Sequence, residues 1–187
     1  MNFIEREPRK KLRLTGYDYR GAGCYFVTFC TAGRQLLFGE IIDGEMKCNE
    51  AGRMVFNVFK NLPNLYYGVN IDSFVVMPNH IHALIFFEKR TRSSAPTMDS
   101  LSDIIKKIKT YTTNCYIQGV YQKNWTPFDM KLWQRGYYEH IVQDDTSLKK
   151  IQEYILKNPL QWERDHDNPN FQDETEGHNL LGVFVLP

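Results

Sequence analysis

The hydrophobic and polar positions of this chain predict strands that alternate with helices. Four segments have the β-branched and aromatic content of strands: residues 25–31, 69–77, 81–87 and 132–142. Three segments have apolar residues at the three- and four-residue spacing of amphipathic helices: residues 49–62, 101–115 and 147–157. An Asp43-Gly44 pair between short apolar runs adds a small hairpin within residues 36–48.

Capping residues and prolines mark the expected ends of the helices. Asp144 precedes the third helix, and either Ser100 or Ser102 is placed to cap the second. Pro63 is expected to end the first helix and Pro159 the third, because proline disfavours helical geometry in the residue before it.

The order of these elements is β, α, β, β, α, β, with a further helix appended. This is the split βαβ arrangement of ferredoxin-like sandwiches. We therefore predict an α+β fold with an antiparallel four-stranded sheet, the added hairpin and a C-terminal helix that bears Tyr154. The length of 187 residues fits a single domain. Its core is expected at about residues 20–162, between a basic segment, 1–19, and an acidic, then apolar tail, 163–187, that docks on the body, with a surface linker at 88–97.

The formal net charge is only +1, but the charges are unevenly distributed. Six acids and a single base, Arg164, lie beyond Trp162, so residues 1–162 carry 22 Lys and Arg against 16 Asp and Glu. Many of these bases are also close together in the sequence, and basic clusters suit binding to a phosphate backbone. The bases that we assign to nucleic-acid contact are Lys10, Lys11, Arg13, Lys106, Lys107, Lys109 and Lys150. The alternative for any one cluster is an ordinary solvated surface.

The cysteines and the apolar runs bear on the compartment. The cysteines at 24, 30, 48 and 115 lack the CxxC spacing, and the first residues contain no apolar stretch for export. The longest apolar run, residues 83–87, is far too short to span a bilayer of about 30 Å. We expect reduced thiols, a cytoplasmic protein and no membrane partner.

Two histidines separated by one apolar residue begin the strand at 81–87. Alternation along a strand places the imidazoles of His80 and His82 on one face, about 6.5 to 7 Å apart along the backbone, while Ile81 points to the other face. Two neutral imidazoles at this spacing can bind one divalent metal. The alternative is a pair of surface histidines without a metal.

The last predicted helix carries a tyrosine beside polar residues. Ile151, Ile155 and Leu156 form its apolar stripe, so Tyr154 shares another face with Lys150 and Asn158, four residues before and after it. Taken alone, a tyrosine in a helix is more often a packing residue than a nucleophile.

The two motifs together resemble a known family. The segment VVMPNHIHALI is similar to the His-hydrophobic-His (HUH) motif of IS200-like transposases, which use a single tyrosine. The segment YILKNPLQW is similar to the tyrosine helix of the REP-associated branch, and LWQRGYYEHIV to the family's fourth strand, so the resemblance covers about residues 20–162. It implies that His80, His82 and Asn158 hold Mg²⁺ or Mn²⁺, although most IS200-like relatives have Gln in the place of Asn158.

The same resemblance implies an activity. The chain would be a metal-dependent endonuclease and strand-transferase that attacks single-stranded or hairpin DNA of palindromic repeats through Tyr154 and forms a 5′-phosphotyrosine intermediate. Such an enzyme would associate with the nucleoid when bound. The Asn-Pro sequence after the tyrosine favours a monomer, and a homodimer stays open. Tyr17, Tyr19, Tyr137 and Tyr138 are candidates for base stacking, with ordinary packing as the alternative.

Three other functions compete with this interpretation. One is a catalytically silent relative that only binds repeated palindromic DNA. Another is a metal hydrolase in which the two histidines and either His140 or a carboxylate activate water. The third, an RNA-binding ferredoxin-like module, lacks support because the chain has no match to the aromatic RNP1 pattern.

Overall fold

The computed structural model describes residues 22–88 and 99–171. In chain order the strands and α-helices are β1 (Gly23–Cys30), β2 (Gly39–Ile42), β3 (Glu45–Cys48), α1 (Glu50–Leu65), β4 (Val69–Val76), β5 (His80–Phe87), α2 (Leu101–Lys123), β6 (Tyr138–Val142) and α3 (Asp145–Lys157). A 3-10 turn at Ala32–Arg34 follows β1, and a longer 3-10 helix, Asn158–Arg164, continues α3. The predicted α+β class is confirmed.

The main sheet has the strand order β4-β5-β1-β6, and all neighbouring strands are antiparallel. This is the order of a ferredoxin-like sheet, as the sequence predicts. Strands β2 and β3 form the separate hairpin, whose turn places Asp43 and Gly44 at positive φ, 51° and 73°. Two successive residues at positive φ are what an Asp-Gly turn supplies.

The two faces of the sheet bury different parts of the chain. On one face, Tyr25, Val27 and Phe29 of β1 pack with α1 and α2 in the large core. The intervening residues of β1 point to the other face, where Phe26 packs against Ile151 and Ile155 of α3. The sheet therefore lies between two layers, and α3 forms the layer on the face of Phe26.

The three described α-helices each have an N-terminal cap, and those of α2 and α3 are the ones that the sequence predicts. The side chain of Asn49 accepts a hydrogen bond from the Gly52 amide at 2.8 Å and caps α1. Ser100 caps α2 in a capping box with Asp103, and Asp144 accepts from the Ser147 amide at 2.8 Å at the start of α3. The cap at Asp144 fixes where α3, the helix on the face of Phe26, begins.

Two helix ends differ from the sequence prediction. Helix α1 continues past Pro63 to Leu65, because a proline in the last turn gives up only its own amide hydrogen bond, while Leu62 stays fully buried. Helix α2 extends beyond residue 115 to Lys123, since Tyr116 and Gly119 are buried and prolong the apolar face.

The fourth strand is shorter than the predicted 132–142. Its ladder with β1 begins at Tyr138, opposite Thr28. Before that point the carbonyls of Gln134 and Gly136 accept hydrogen bonds from the ammonium of Lys109, at 3.0 and 2.7 Å. These carbonyls bond to a side chain of α2, and this segment lies outside β6.

Several predictions concern residues that lie outside the described part of the chain. They are the basic segment 1–19 with Lys10, Lys11, Arg13, Tyr17 and Tyr19, the linker after residue 88 and the tail beyond residue 171. Among residues 22–88 and 99–171, no helix has the length and apolar character needed to cross a bilayer.

Candidate active site

The two histidines of β5 lie side by side on the sheet face that α3 covers. His80 and His82 are 0% and 1% exposed, and their Nε2 atoms are 3.0 Å apart. In the β1–β5 register His82 lies opposite Thr28 and His80 opposite Cys30, which places the pair where β5 begins and β1 ends. The predicted placement of both imidazoles on one face is therefore what the structure has.

Asn79 fixes the protonation pattern of the first imidazole. Its amide nitrogen donates to the carbonyls of Arg34 and Asp167, at 3.1 and 2.7 Å, so its Oδ1 is the atom that faces His80. That oxygen lies 2.8 Å from His80 Nδ1 and can only accept, so Nδ1 carries the hydrogen. The Nε2 atom of His80 is left with its lone pair turned to the site.

Thr28 makes the corresponding contact with the second imidazole. Its hydroxyl lies 2.6 Å from His82 Nδ1 in a buried environment. A hydroxyl can donate or accept, so Thr28 is compatible with a lone pair on His82 Nε2 when it accepts from Nδ1. Each imidazole thus has a hydrogen-bond partner at Nδ1, which orients its ring so that the two Nε2 atoms face each other.

Burial keeps both imidazoles neutral. Burial, the largest cause, lowers the pKa of His80 to about 4. It also lowers the pKa of His82 well below its ordinary value, and the neighbouring His80 adds to the shift. At neutral pH both rings are therefore in the form that binds a metal ion.

Helix α3 brings Tyr154 to the same place. Its hydroxyl lies 3.3 Å from His82 Nε2, and its ring packs edge-on against Phe26 with centroids 5.9 Å apart. Burial raises the pKa of this phenol above its ordinary value, and the charges of Asp165 and Asp167 raise it further. The phenol is protonated at neutral pH unless positive charge is brought close to it.

Asn158 begins the 3-10 helix one turn after Tyr154. The residue is 1% exposed, and its Oδ1 is buried with no hydrogen-bond partner among the described residues. Its amide nitrogen lies 3.4 Å from Asp165 Oδ2. A buried carbonyl oxygen without a donor is costly, so this atom is suited to a cation.

Asp165 is a site residue that the sequence interpretation missed. Its Oδ2 lies 3.8 Å from His80 Nε2, and burial raises the pKa of its carboxyl. His80, His82 and Asp165 offer ligand atoms that all lie within 4.8 Å of one another. The sequence prediction placed Asp165 in an acidic tail. The only available signal was the position of an acid within a few residues of the Asn-Pro motif.

Asp165 is held in place by contacts of the two residues that come after it in the chain, His166 and Asp167. The guanidinium of Arg34 donates to the His166 carbonyl at 2.6 Å and pairs with Asp167 at 3.2 Å. Asn79 also donates to the backbone of Asp167, as described above. The segment after the 3-10 helix is thereby fastened to the turn that follows β1.

The donor set fits a divalent cation. It comprises two neutral imidazole nitrogens, the Asp165 carboxylate and the unpartnered Asn158 oxygen. The 3.0 Å between the imidazole nitrogens is also the separation of two adjacent octahedral ligands, each about 2.1 Å from an ion such as Mg²⁺. Without a cation or a proton between them, two lone pairs at this distance would repel each other.

The described lysines predicted to contact nucleic acid occupy different layers. Lys106, Lys107 and Lys109 belong to α2, which packs on the sheet face opposite to Tyr154. Lys107 pairs with Asp99 at 2.7 Å, and Lys109 is held by the carbonyls that shorten β6. Lys150 lies on α3, in the layer of Tyr154. The position of Lys150 is thus nearer to the proposed chemistry than that of the α2 lysines.

His140 and Tyr138 belong to β6, and Tyr137 directly precedes this strand. His140 lies opposite Phe26 in the β1–β6 pairing, and the group of ligand atoms described above contains Asp165 and not His140. Tyr138 lies opposite Thr28 and packs against Phe26, while Tyr137 packs against the large core on the other face. Of these two tyrosines only Tyr138 is on the face of the histidines.

A cavity of about 300 Å³ opens beside the tyrosine. It is lined by Tyr154, Asn158, Gln161, Arg164, Asp165 and His166. All of these residues belong to α3, to the 3-10 helix or to the turn after it. The cavity gives a substrate access to the phenol from the C-terminal side of α3.

Comparisons with known proteins agree with this arrangement. The profile of the family described as "Transposase IS200 like" matches residues 41–158. A Haemophilus influenzae protein, described only as uncharacterized, is 35% identical in an alignment of 171 positions that covers 84% of this chain and 91% of that protein. Among solved structures, a REP-associated tyrosine transposase bound to a REP hairpin superposes with a TM-score of 0.56 at 17% identity, over 80% of this chain and 73% of that one. The solved structure supports the fold.

Proposed function

Because this chain belongs to the IS200-like transposase family, we propose that it is a metal-dependent endonuclease and strand-transferase that cleaves single-stranded DNA with Tyr154 as nucleophile. One observation carries the proposal: the Tyr154 hydroxyl lies 3.3 Å from Nε2 of His82, one of the three residues whose ligand atoms are grouped closely enough to hold a metal ion. The buried Asn158 oxygen without a partner adds independent support.

The residues that would hold the metal are His80, His82 and Asp165, with Asn158 as a fourth ligand. Hard oxygen donors together with imidazole suit Mg²⁺ or Mn²⁺. When bound, such an ion supplies positive charge that offsets the negative charge of a phosphodiester and favours the ionised phenol. The Asn79 and Thr28 contacts keep both Nε2 atoms turned toward it.

The cleavage step follows from the position of the phenol. The Tyr154 oxygen attacks phosphorus and forms a new P–O bond, while the bond from phosphorus to the 3′ oxygen of the preceding nucleotide breaks. The phenol loses its proton, and the leaving 3′ oxygen gains one. The products are a 5′-phosphotyrosine and a free 3′-OH.

The phosphotyrosine keeps the energy of the original phosphodiester. Attack by another 3′-OH therefore releases Tyr154 and joins two DNA ends without ATP. Phe26 packs against the tyrosine ring and holds it at the sheet face for cleavage. Cleavage and joining are then one reaction in two directions.

The substrate we propose is single-stranded DNA next to a hairpin. The solved relative with the same fold is described as bound to a REP hairpin, although at 17% identity the likeness itself extends to the fold alone. The open cavity beside Tyr154 accepts an unpaired strand. Tyr138, on the same sheet face, is the described candidate for base stacking.

We propose that the active site is built from one chain, because Tyr154, His82 and Asp165 of the same molecule approach one another. This supports action as a monomer in cis, in keeping with the expectation from the Asn-Pro sequence.

The experiment that tests the proposal detects the covalent intermediate. A hairpin oligonucleotide with single-stranded flanks and a fluorescent label at its 3′ end is incubated with the protein and Mn²⁺, then separated on a denaturing gel. We expect a protein-linked labelled band that is lost in Tyr154→Phe and in His82→Ala. A band that survives in Tyr154→Phe assigns the nucleophile to another residue.

A second candidate function has one observation in its favour. Asp165 provides the carboxylate that a metal hydrolase with two histidines would use, and in such an enzyme Tyr154 would be incidental. The same gel separates the two functions. Hydrolysis yields a shortened strand with no protein-linked band and persists in Tyr154→Phe, whereas a silent DNA-binding relative yields neither product.

A further inference from the structure

The 3-10 helix after α3 arranges three polar residues in one row. A 3-10 helix has three residues per turn, so side chains three positions apart lie above one another. Asn158, Gln161 and Arg164 have this spacing in the helix Asn158–Arg164. The row begins one turn after Tyr154 and continues toward the C-terminal end of the 3-10 helix. Tyr154 and these three side chains therefore succeed one another along the helix axis.

This row forms one wall of the cavity beside the tyrosine. Gln161 and Arg164 line the cavity together with Tyr154 and Asn158. A rise of about 2.0 Å per residue places Arg164 about 12 Å from Asn158 along the helix. With this offset along the helix, Arg164 is placed to reach a phosphate of the strand other than the one that Tyr154 attacks, while both residues line the same cavity.

The charge of Arg164 is not neutralised by the acids around the site. The guanidinium is exposed and makes no ion pair or hydrogen bond with the described residues. Asp165 is turned toward His80 and the Asn158 amide, and Asp167 pairs with Arg34 at 3.2 Å. Asp165 and Asp167 thus have other partners, and Arg164 is one of the residues that line the cavity.

We propose that Arg164 binds a backbone phosphate of the cleaved strand, one that neighbours the phosphate attacked by Tyr154; this inference rests on the proposed function. A guanidinium binds phosphate oxygens through two parallel hydrogen bonds, which positions a strand as well as attracting it. Held at this second phosphate, the strand lies along the row from Arg164 to Tyr154. The residue positions the substrate and takes no part in bond breaking.

The test measures binding of DNA with and without this charge. The probe is a fluorescein-labelled hairpin flanked by oligo-dT single strands, and binding is followed by anisotropy in Mn²⁺ over a range of salt concentrations. Arg164→Gln is expected to weaken binding about tenfold and to reduce the slope of log K against log salt by about 0.7, the value for one contact to a single strand. Arg164→Lys should restore the slope and only part of the affinity.

The matched control is Arg53→Gln. Arg53 is an exposed arginine of α1, in the layer on the other side of the sheet, and its removal changes the net charge equally. We expect this variant to bind like the wild type. An equal loss in Arg53→Gln and Arg164→Gln would overturn the proposal, because the effect would then reflect bulk charge.

DNA with one uncharged phosphate analogue at a time identifies which phosphate Arg164 contacts. Methylphosphonate is placed at each position of the flank in turn, which removes one negative charge at a time. One substitution should weaken the wild type and leave Arg164→Gln unaffected. If the two proteins respond alike at every position, or if Arg164→Gln binds like the wild type, the proposal is wrong. In that case, a covalent adduct formed by the wild type on the gel described above shows that the proposed function still stands. If the wild type forms no adduct, the proposed function itself is wrong.

Discussion

Asn79 and His80 are neighbours in sequence, and the 2.8 Å contact between Oδ1 of the first and Nδ1 of the second decides which imidazole nitrogen is left for a metal. The amide cannot turn over, because its nitrogen already donates to the backbone carbonyls of Arg34 and Asp167. A residue outside the proposed ligand set therefore controls the tautomer of a proposed ligand. Outer partners of this kind usually change affinity by about 10- to 100-fold.

We expect Asn79→Leu to weaken Mn²⁺ binding by about 10- to 100-fold, because His80 loses the acceptor that keeps its hydrogen on Nδ1. Titration calorimetry of the purified protein measures the affinity directly. Asn70→Leu, at an exposed asparagine of β4, is the control and should bind Mn²⁺ like the wild type. Unchanged affinity in Asn79→Leu, with the fold intact by circular dichroism, would show that the tautomer is set elsewhere.

Thr28 offers a sharper pair of variants at the other imidazole. Thr28→Val keeps the shape of the side chain and removes the hydroxyl that lies 2.6 Å from His82 Nδ1, so Mn²⁺ affinity should fall about tenfold. Thr28→Ser keeps the hydroxyl and should recover most of the affinity. Equal affinities in the two variants would mean that Thr28 acts through packing alone.

Removing the negative charge of Asp165, the carboxylate that the sequence did not predict, tests which residues belong to the donor set. Asp165→Asn should lower Mn²⁺ affinity by about tenfold or more, because one anionic ligand becomes a neutral amide of similar size. Glu163→Gln removes an exposed acid two residues earlier and should leave the affinity unchanged. If both variants bind like the wild type, the metal is held by His80 and His82 without Asp165.

Mixing two inactive proteins tests whether the site is built in cis. Tyr154→Phe lacks the nucleophile and His82→Ala lacks a metal ligand, so neither should form the covalent adduct alone. Because these two side chains meet within one molecule, an equimolar mixture should stay inactive as well. Recovery of the adduct in the mixture would instead indicate that the tyrosine of one copy serves the histidines of another.

The stability of the fold should depend on pH through Lys109. Burial lowers the pKa of this lysine to about 8, whereas the unfolded chain has a lysine pKa of about 10.4. Between these values unfolding takes up a proton, so the free energy of unfolding rises with pH. Urea denaturation at about pH 7 and about pH 9.5 should show the wild type gaining stability relative to Lys109→Met at the higher pH. A relative stability that is constant or falls with pH would contradict the shift.

Much of the fold could be predicted because its signals are local. The spacing of Val55, Phe59 and Leu62 marks α1, and the Asp43-Gly44 pair marks the hairpin turn. The His-x-His pattern places both imidazoles on one face because strand periodicity does so without reference to any other element. That the tyrosine helix and these histidines form one site was predicted from the resemblance to a known family, because periodicity alone does not indicate it.

The remaining features depend on contacts between distant parts of the chain. Asp165 reaches the histidines because Arg34 and Asn79 hold the segment that follows it, and no local pattern reveals such contacts. The shortened β6 has a similar cause, since a lysine of α2 takes the carbonyls that a ladder would need. In both cases tertiary structure decides what the sequence near the residue leaves open.

Helix α3 has only two buried side chains, Ile151 and Ile155, whereas α1 has six buried residues and α2 seven. The part of the molecule that would carry a covalently attached DNA end is thus also the α-helix with the fewest buried residues among the three that the structure describes. A small displacement of α3 on the sheet would sacrifice little apolar contact. After cleavage, the captured end could therefore be offered to a new 3′-OH by a shift of one helix, with the sheet and its two imidazoles staying where they are.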